Sequence, residues 1–291
     1  MFLNLINSIL DKKSIYYREL DIINEHIEKI LCKINIQDDI SKIILNSGKR
    51  IRSILALSVY YQYYKSIPEY LFKILAFVEL IHFGSLLHDD VIDKNNVRRG
   101  QQSAYKLYGA KKTILLGDYL LSKIFDEITK SKYEPYIITR FAKTASAIAY
   151  GAYLEQTLKL TSSFEEYIKV VSLKTSALFK FASTVGLWNS YNVSKIATWA
   201  TCFGIIYQVQ NDLNNYHVEM FENSEDYIQS NITYPFVTLF KLHPHLFTKR
   251  DQKNFLLIKK LIFSEKFKQK ALKDLAKYLE CLTNSDIYIK K

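Results

Sequence analysis

An all-α fold, a helical bundle in a single domain, is what this sequence predicts, and three observations predict it. Apolar residues recur at three- and four-residue spacing from end to end. Glycine is scarce at 8 and proline at 4 of 291 residues, too few turn formers for a sandwich or barrel of many short strands. Apolar types make up 48% and charged types 24%, enough to bury a large core and solvate its outside. A disordered chain is excluded.

Taken in order, Phe2, Leu3, Ile6, Ile9 and Leu10 share one helical face, and Ile23, Ile27 and Leu31 share another. Residues 69–134 lack proline and read as long helices. The stretch 71–87 is apolar nearly all round, which belongs at the centre of a bundle. Breaks are predicted at Ser47-Gly48, Ser66-Ile67-Pro68, Arg99-Gly100, Tyr108-Gly109, Glu134-Pro135, Thr233-Tyr234-Pro235 and His243-Pro244. Residues 136–232 form a second proline-free helical stretch, and 250–285 a more charged one. Without repeats or Ser/Gly linkers, one domain over 1–291 is expected. No apolar run approaches the roughly 18 residues of a spanning helix, and no signal-peptide pattern opens the chain. A cytoplasmic protein with no transmembrane segment is the expectation.

Forty basic against 29 acidic side chains give a net charge of +11, suited to nucleic acid, anionic lipid or phosphorylated metabolites. The bases are scattered in short runs such as Lys111-Lys112 and Lys259-Lys260, and aromatics interleave with them only at core periodicity, so nucleic acid is not expected as a partner. Cys32, Cys202 and Cys281 are odd in number and lack ligand spacing, which argues against a disulfide framework or a zinc site.

The chemistry concentrates at the end of the most apolar stretch, in Leu86-Leu87-His88-Asp89-Asp90-Val91-Ile92-Asp93. Asp89 and Asp93 stand at i and i+4, so both carboxylates leave one helix face and need a cation between them. Hard oxygen ligands with open positions suit Mg²⁺, which binds through one or two carboxylates plus substrate phosphates. Arg98-Arg99 follow within one short loop, and Lys49-Arg50-Ile51-Arg52 follow a glycine that frees the backbone of a turn. Paired arginines offer planar forks to phosphate oxygens. Acids that hold metal beside bases that hold phosphate describe a diphosphate site with two pockets, one metal-bridged and one salt-bridged.

These residues carry a family resemblance. Gly48-Lys49-Arg50-Ile51-Arg52, Leu80-Ile81-His82 through Asp93, Arg98-Arg99-Gly100, Leu116-Gly117-Asp118-Tyr119-Leu120-Leu121, Lys174-Thr175 and Tyr207-Gln208-Val209-Gln210-Asn211-Asp212 stand in the order and approximate spacing of the trans-isoprenyl diphosphate synthases. The resemblance runs from about residue 20 to 285 and implies a helical bundle around a central apolar cavity, usually a homodimer. It implies that Asp89 and Asp93 ligate Mg²⁺ on an allylic diphosphate, with Asp90 supporting them and Arg98 contacting that diphosphate. Lys49, Arg52, His82 and Arg99 would hold isopentenyl diphosphate, and Lys174, Thr175 and Gln208 would lie near the allylic group and its developing cation. Metals and fixed cations stabilise charge on the leaving diphosphate, while a dry apolar chamber keeps water from the carbocation. The small Gly84 and Ser85, one turn before Asp89, imply products of geranylgeranyl length or longer.

The sequence departs from the family's second aspartate-rich motif. Asn211-Asp212-Leu213-Asn214-Asn215 keeps only the middle acid, Ser230-Asn231-Ile232-Thr233 lacks a diphosphate-facing lysine, and Ala152 replaces an acidic residue after Gly151. Asn211, Asn215 and Glu219, at i, i+4 and i+8, resemble instead the metal triad of class I terpene synthases. The second metal set therefore reads as Asn211, Asp212, Asn215 and Glu219. Three readings compete: a working prenyltransferase, a terpene synthase derived from the same fold, and a non-catalytic subunit of a heteromeric synthase. The surviving Lys49, Arg52, His82 and Arg99 favour the first, since a cyclase needs no second diphosphate pocket.

Overall fold

The structure, a computed structural model, describes residues 11–36, 38–46, 48–98, 100–130, 135–217, 227, 231–249, 251–285 and 287. The chain divides into two compact units. The first holds the described residues between 7 and 145 and between 181 and 190; the second holds those in 146–180 and 191–287.

In the first unit, α1 (Tyr17–Lys33), α2 (Asp38–Asn46) and α3 (Ile51–Tyr60) precede α4 (Glu69–Ile92), which starts directly after Pro68. A two-strand antiparallel hairpin, β1 (Val97–Arg98) and β2 (Gln101–Gln102), turns at Gly100, whose φ of 79° favours glycine. The predicted break at Arg99-Gly100 is thus a hairpin, the strand-forming element that an all-α reading leaves out. Helix α5 (Ala104–Thr129) is capped by the Ser103 hydroxyl on the Lys106 N–H, and it is kinked at Gly109 as its sequence predicts. Helix α4 packs against α5 and α1. Its Leu75, Ala76, Phe77, Val78 and Leu80 are wholly buried.

That burial corrects one expectation. Helix α4 is long and apolar enough to cross a membrane by length and composition, although no such run was expected. Within the fold, 72% of its most apolar window is buried, so its apolarity is accounted for by a core position.

Helix α6 (Pro135–Glu155) begins at the predicted proline and ends in the second unit. There α7 (Phe164–Val171) runs through a π-helical turn, Ser172–Ser176, into α8 (Ala177–Val185), whose residues from 181 on belong to the first unit. Then come α9 (Val193–Asn214), α10 (Tyr234–Leu239), α11 (His245–Thr248), α12 (Gln252–Ile262) and α13 (Glu265–Thr283). The stretch 136–232, which reads as uninterrupted, is broken before α7. Ser163 and Glu166 form a capping box there, each side chain accepting the other's backbone N–H at 3.1 and 2.7 Å. A polar pair starts the new helix where neither glycine nor proline stands. Helix α9 packs on α13, the π-turn, α7 and α10, with Trp199, Phe203 and Tyr207 stacked along it.

Candidate active site

The acidic cluster sits at the C-terminal end of α4. Asp89 lies in the last turn, and Asp93 caps it, donating its backbone N–H to the Asp89 carbonyl at 2.8 Å. A helix C-terminus already carries partial negative charge, so two carboxylates one turn apart there make the local potential more negative and favour a cation. Asp90, between them in sequence, is 2% exposed. Its Oδ1 accepts from Arg98 Nε at 2.6 Å and Nη2 at 2.5 Å. Burial pushes the Asp90 carboxyl above the usual carboxylate range, with the Arg98 guanidinium opposing that shift. The hairpin thereby delivers a charged, oriented guanidinium onto Asp90, next to Asp89, with the Ser103 hydroxyl bonded to the Asn95 carbonyl at its base.

The basic loop belongs to the same unit. Gly48 adopts φ 98°, the turn freedom its sequence position predicts, and Lys49 is exposed. Arg50 caps α3 at φ 50° and is buried, bonding Asn24 Oδ1 and the carbonyls of Ile44 and Leu45. Glu79 of α4, 4% exposed, accepts the Ser53 backbone N–H at 3.2 Å and its hydroxyl at 2.7 Å, with Arg50 Nη1 3.9 Å away. This buried carboxylate ties the start of α3, which bears Arg52 and follows Lys49, to the helix bearing His82 and Asp89. Sequence reading missed Glu79. The signal was there: a lone acid inside the apolar stretch 71–87 must find partners when buried. Arg52 is 8% exposed and His82 half-buried. Ser85 donates its hydroxyl to the His82 carbonyl at 2.7 Å, and a Cβ at Gly84 would lie 3.1 Å from Leu121 Cδ2 on α5. Arg99 lies outside the described residues.

In the second unit, Lys174 and Thr175 sit in the π-turn, a helical irregularity common at functional sites. Lys174 Nζ pairs with Glu155 Oε2 at 2.5 Å. The acid four residues beyond Gly151, not the position of Ala152, meets the lysine. Gly151 permits the approach, because a Cβ there would stand 2.5 Å from the Lys174 nitrogen. Thr175 donates its hydroxyl to Gln208 Oε1 at 3.0 Å, and Gln208 Nε2 donates to Asp212 Oδ1 at 2.8 Å. Asp212 Oδ2 accepts from the Tyr167 hydroxyl at 2.7 Å and the Tyr234 N–H at 2.8 Å. Asn211 and Asn215 are half-buried, and the Asn215 amide reaches the Asn211 carbonyl at 3.4 Å. Glu219 lies outside the described residues.

Among the described residues, no three His, Cys, Asp or Glu side chains group as a metal site. Asp89 and Asp93 nonetheless fit Mg²⁺, which takes one or two carboxylates and completes its shell with water and phosphate oxygens. Asp212 fits poorly, since both its oxygens are engaged by protein donors.

A sequence profile of the family described as polyprenyl synthetase matches residues 34–279. The chain is 31% identical over 249 residues to the geranylfarnesyl diphosphate synthase of Methanosarcina mazei, covering 84% of this chain and 79% of that one. It is 28% identical over 181 residues to a short chain isoprenyl diphosphate synthase of Methanothermobacter thermautotrophicus, covering 58% of this chain and 55% of that relative. Its fold matches a polyprenyl synthase from Caulobacter crescentus, solved with calcium and isoprenyl diphosphate, at a TM-score of 0.80 and 20% identity, covering 95% and 90% of the two chains.

Proposed function

The chain belongs to the polyprenyl synthetase family of trans-prenyltransferases, and on that footing we propose that it condenses isopentenyl diphosphate with an allylic diphosphate, using Mg²⁺, to make a prenyl diphosphate of geranylgeranyl length or longer. The observation that carries this reading is that one unit holds the acids, the guanidinium and the basic loop together. Asp89 and Asp93 would hold the metal ion. When bound, the ion neutralises charge developing on the leaving diphosphate.

The chain's own groups supply the rest. Arg98, fixed by Asp90 on two N–H groups, offers its remaining donors to the allylic diphosphate without having to be ordered first. Lys49, Arg52, His82 and Arg99 would hold isopentenyl diphosphate, so that its double bond can attack the allylic carbon as that carbon's bond to oxygen breaks, the condensed cation then losing a proton to the released diphosphate. In the second unit, Lys174, held by Glu155, would face a diphosphate, while Thr175 and Gln208 offer oxygen dipoles to the allylic cation. Gly84 and Ser85, both small, would let the growing chain pass. A homodimer in the cytoplasm completes the reading, with Leu107, Ile114 and Leu115 giving α5 an exposed apolar face.

Incubation of the purified protein with labelled isopentenyl diphosphate, farnesyl diphosphate and Mg²⁺ tests it. The expected result is an elongated, metal-dependent product, and light scattering should give twice the chain mass. No elongation, alone or with a related subunit, would refute the catalytic reading. Cyclic products from the allylic diphosphate alone would make it a terpene synthase.

A further inference from the structure

We propose that Asp212, the one acid in the motif 211–215, is a positioning residue for Gln208 and binds no metal ion. The end of α9 would then present amides, not carboxylates, to a bound diphosphate. The role of Gln208 rests on the prenyltransferase reading; the metal assignment does not.

The side chain of Asp212 is 3% exposed. Its Oδ2 takes the Tyr167 hydroxyl and the Tyr234 backbone N–H, and its Oδ1 takes Gln208 Nε2. A Mg²⁺ ion demands near-octahedral geometry and keeps several waters, and so enclosed an acid has no room for that shell. A cation would also have to displace donors on Tyr167 and Tyr234, which are 3% and 0% exposed. Groups so buried, once stripped of their acceptor, are left unsatisfied at full desolvation cost.

The same bonds fix Gln208. An ionised carboxylate only accepts, so Gln208 must turn its NH₂ toward Asp212 and its carbonyl oxygen toward the Thr175 hydroxyl. One buried acid thus sets the direction of an amide dipole four residues away. It also joins α7, α9 and the start of α10. Within the cluster the buried position carries the acid, while the half-buried positions 211 and 215 carry amides. That is the distribution expected where carboxylate charge serves the fold and not a metal.

The test is a titration of Mn²⁺ into the full chain with inorganic diphosphate present, free ion being read by electron paramagnetic resonance, together with melting curves. Asp89→Asn should weaken Mn²⁺ binding by about tenfold or more. Asp212→Asn and the milder Tyr167→Phe should leave it unchanged yet lower Tm. Equal weakening by Asp89→Asn and Asp212→Asn would overturn the proposal, as would an unchanged Tm in Asp212→Asn. For the positioning role, kcat of Asp212→Asn with Gln208→Ala should fall no further than that of Gln208→Ala alone; additive losses would overturn it. A wild type that makes no prenyl product would sink the functional reading, while Mn²⁺ binding and Tm would still decide the role of Asp212.

Discussion

Glu79 holds Ser53 by both its backbone N–H and its hydroxyl, at 3.2 and 2.7 Å, across two helices. This contact closes the N-terminus of α3 on a carboxylate borrowed from α4, where no side chain of its own caps it. It also anchors the start of α3, next to Lys49 and Arg52, to α4. Removing the carboxylate in Glu79→Ala strips buried Arg50 and Ser53 of a partner. A loss of about 3–5 kcal/mol is expected, the scale for breaking one side of a buried charged contact. Chemical denaturation measures that loss. In protein that still folds, KM for isopentenyl diphosphate should rise more than kcat falls, because only the loop has moved.

Asp89→Ala removes a carboxylate at the leaving group. The expected fall in kcat is roughly two to three orders of magnitude, typical of an interaction made chiefly in the transition state. Steady-state rates at saturating Mg²⁺ check it, and a mere rise in the Mg²⁺ requirement with normal kcat would contradict it.

Asn211→Asp should gain what Asp212 does not supply. Position 211 is half-buried at the end of α9, so a new carboxylate there has access to an ion. Tighter Mn²⁺ binding in the presence of diphosphate is the expected outcome, read by the same titration.

Much of this was legible in the sequence, and what was not has a common cause. Helix breaks at Gly48, Pro68, Gly109 and Pro135 follow from backbone chemistry local to each residue. The pairing of Asp89 with Asp93 follows from helical spacing alone. Glu79 with Ser53, Glu155 with Lys174 and Tyr167 with Asp212 join residues 26, 19 and 45 positions apart. No local pattern encodes such contacts. The same holds at Asp212: spacing finds an acid, but only packing shows the donors around it.

The cysteines differ in reactivity. Cys202 is buried, and burial, together with the neighbouring Cys281 thiol, pushes the pKa of its own thiol up to about 12. A raised pKa keeps the folded thiol neutral while the unfolded one ionises, so stability is lost as pH rises from about 9 toward 12. Cys202→Ala should flatten that alkaline decline in Tm. At pH 8 iodoacetamide should label exposed Cys32 first and Cys202 last, as peptide mass spectrometry would show.

Product length distinguishes Gly84 from Ser85. Both are small and precede Asp89 by about one turn, so spacing alone assigns them the same part. Packing separates them. A Cβ at Gly84 meets Leu121 at 3.1 Å, so a phenylalanine there must push α5 away from α4. Overpacking of this kind costs about 1–3 kcal/mol, and Gly84→Phe should melt earlier. Ser85 is half-buried, with its hydroxyl turned back to the His82 carbonyl. Losing that local bond is cheap, and the phenylalanine ring at Ser85→Phe has the freer side of the helix. Chromatography of dephosphorylated products should therefore show shorter chains from Ser85→Phe at nearly unchanged Tm. Undiminished chain length in Ser85→Phe would mean that the growing chain does not pass this turn of α4.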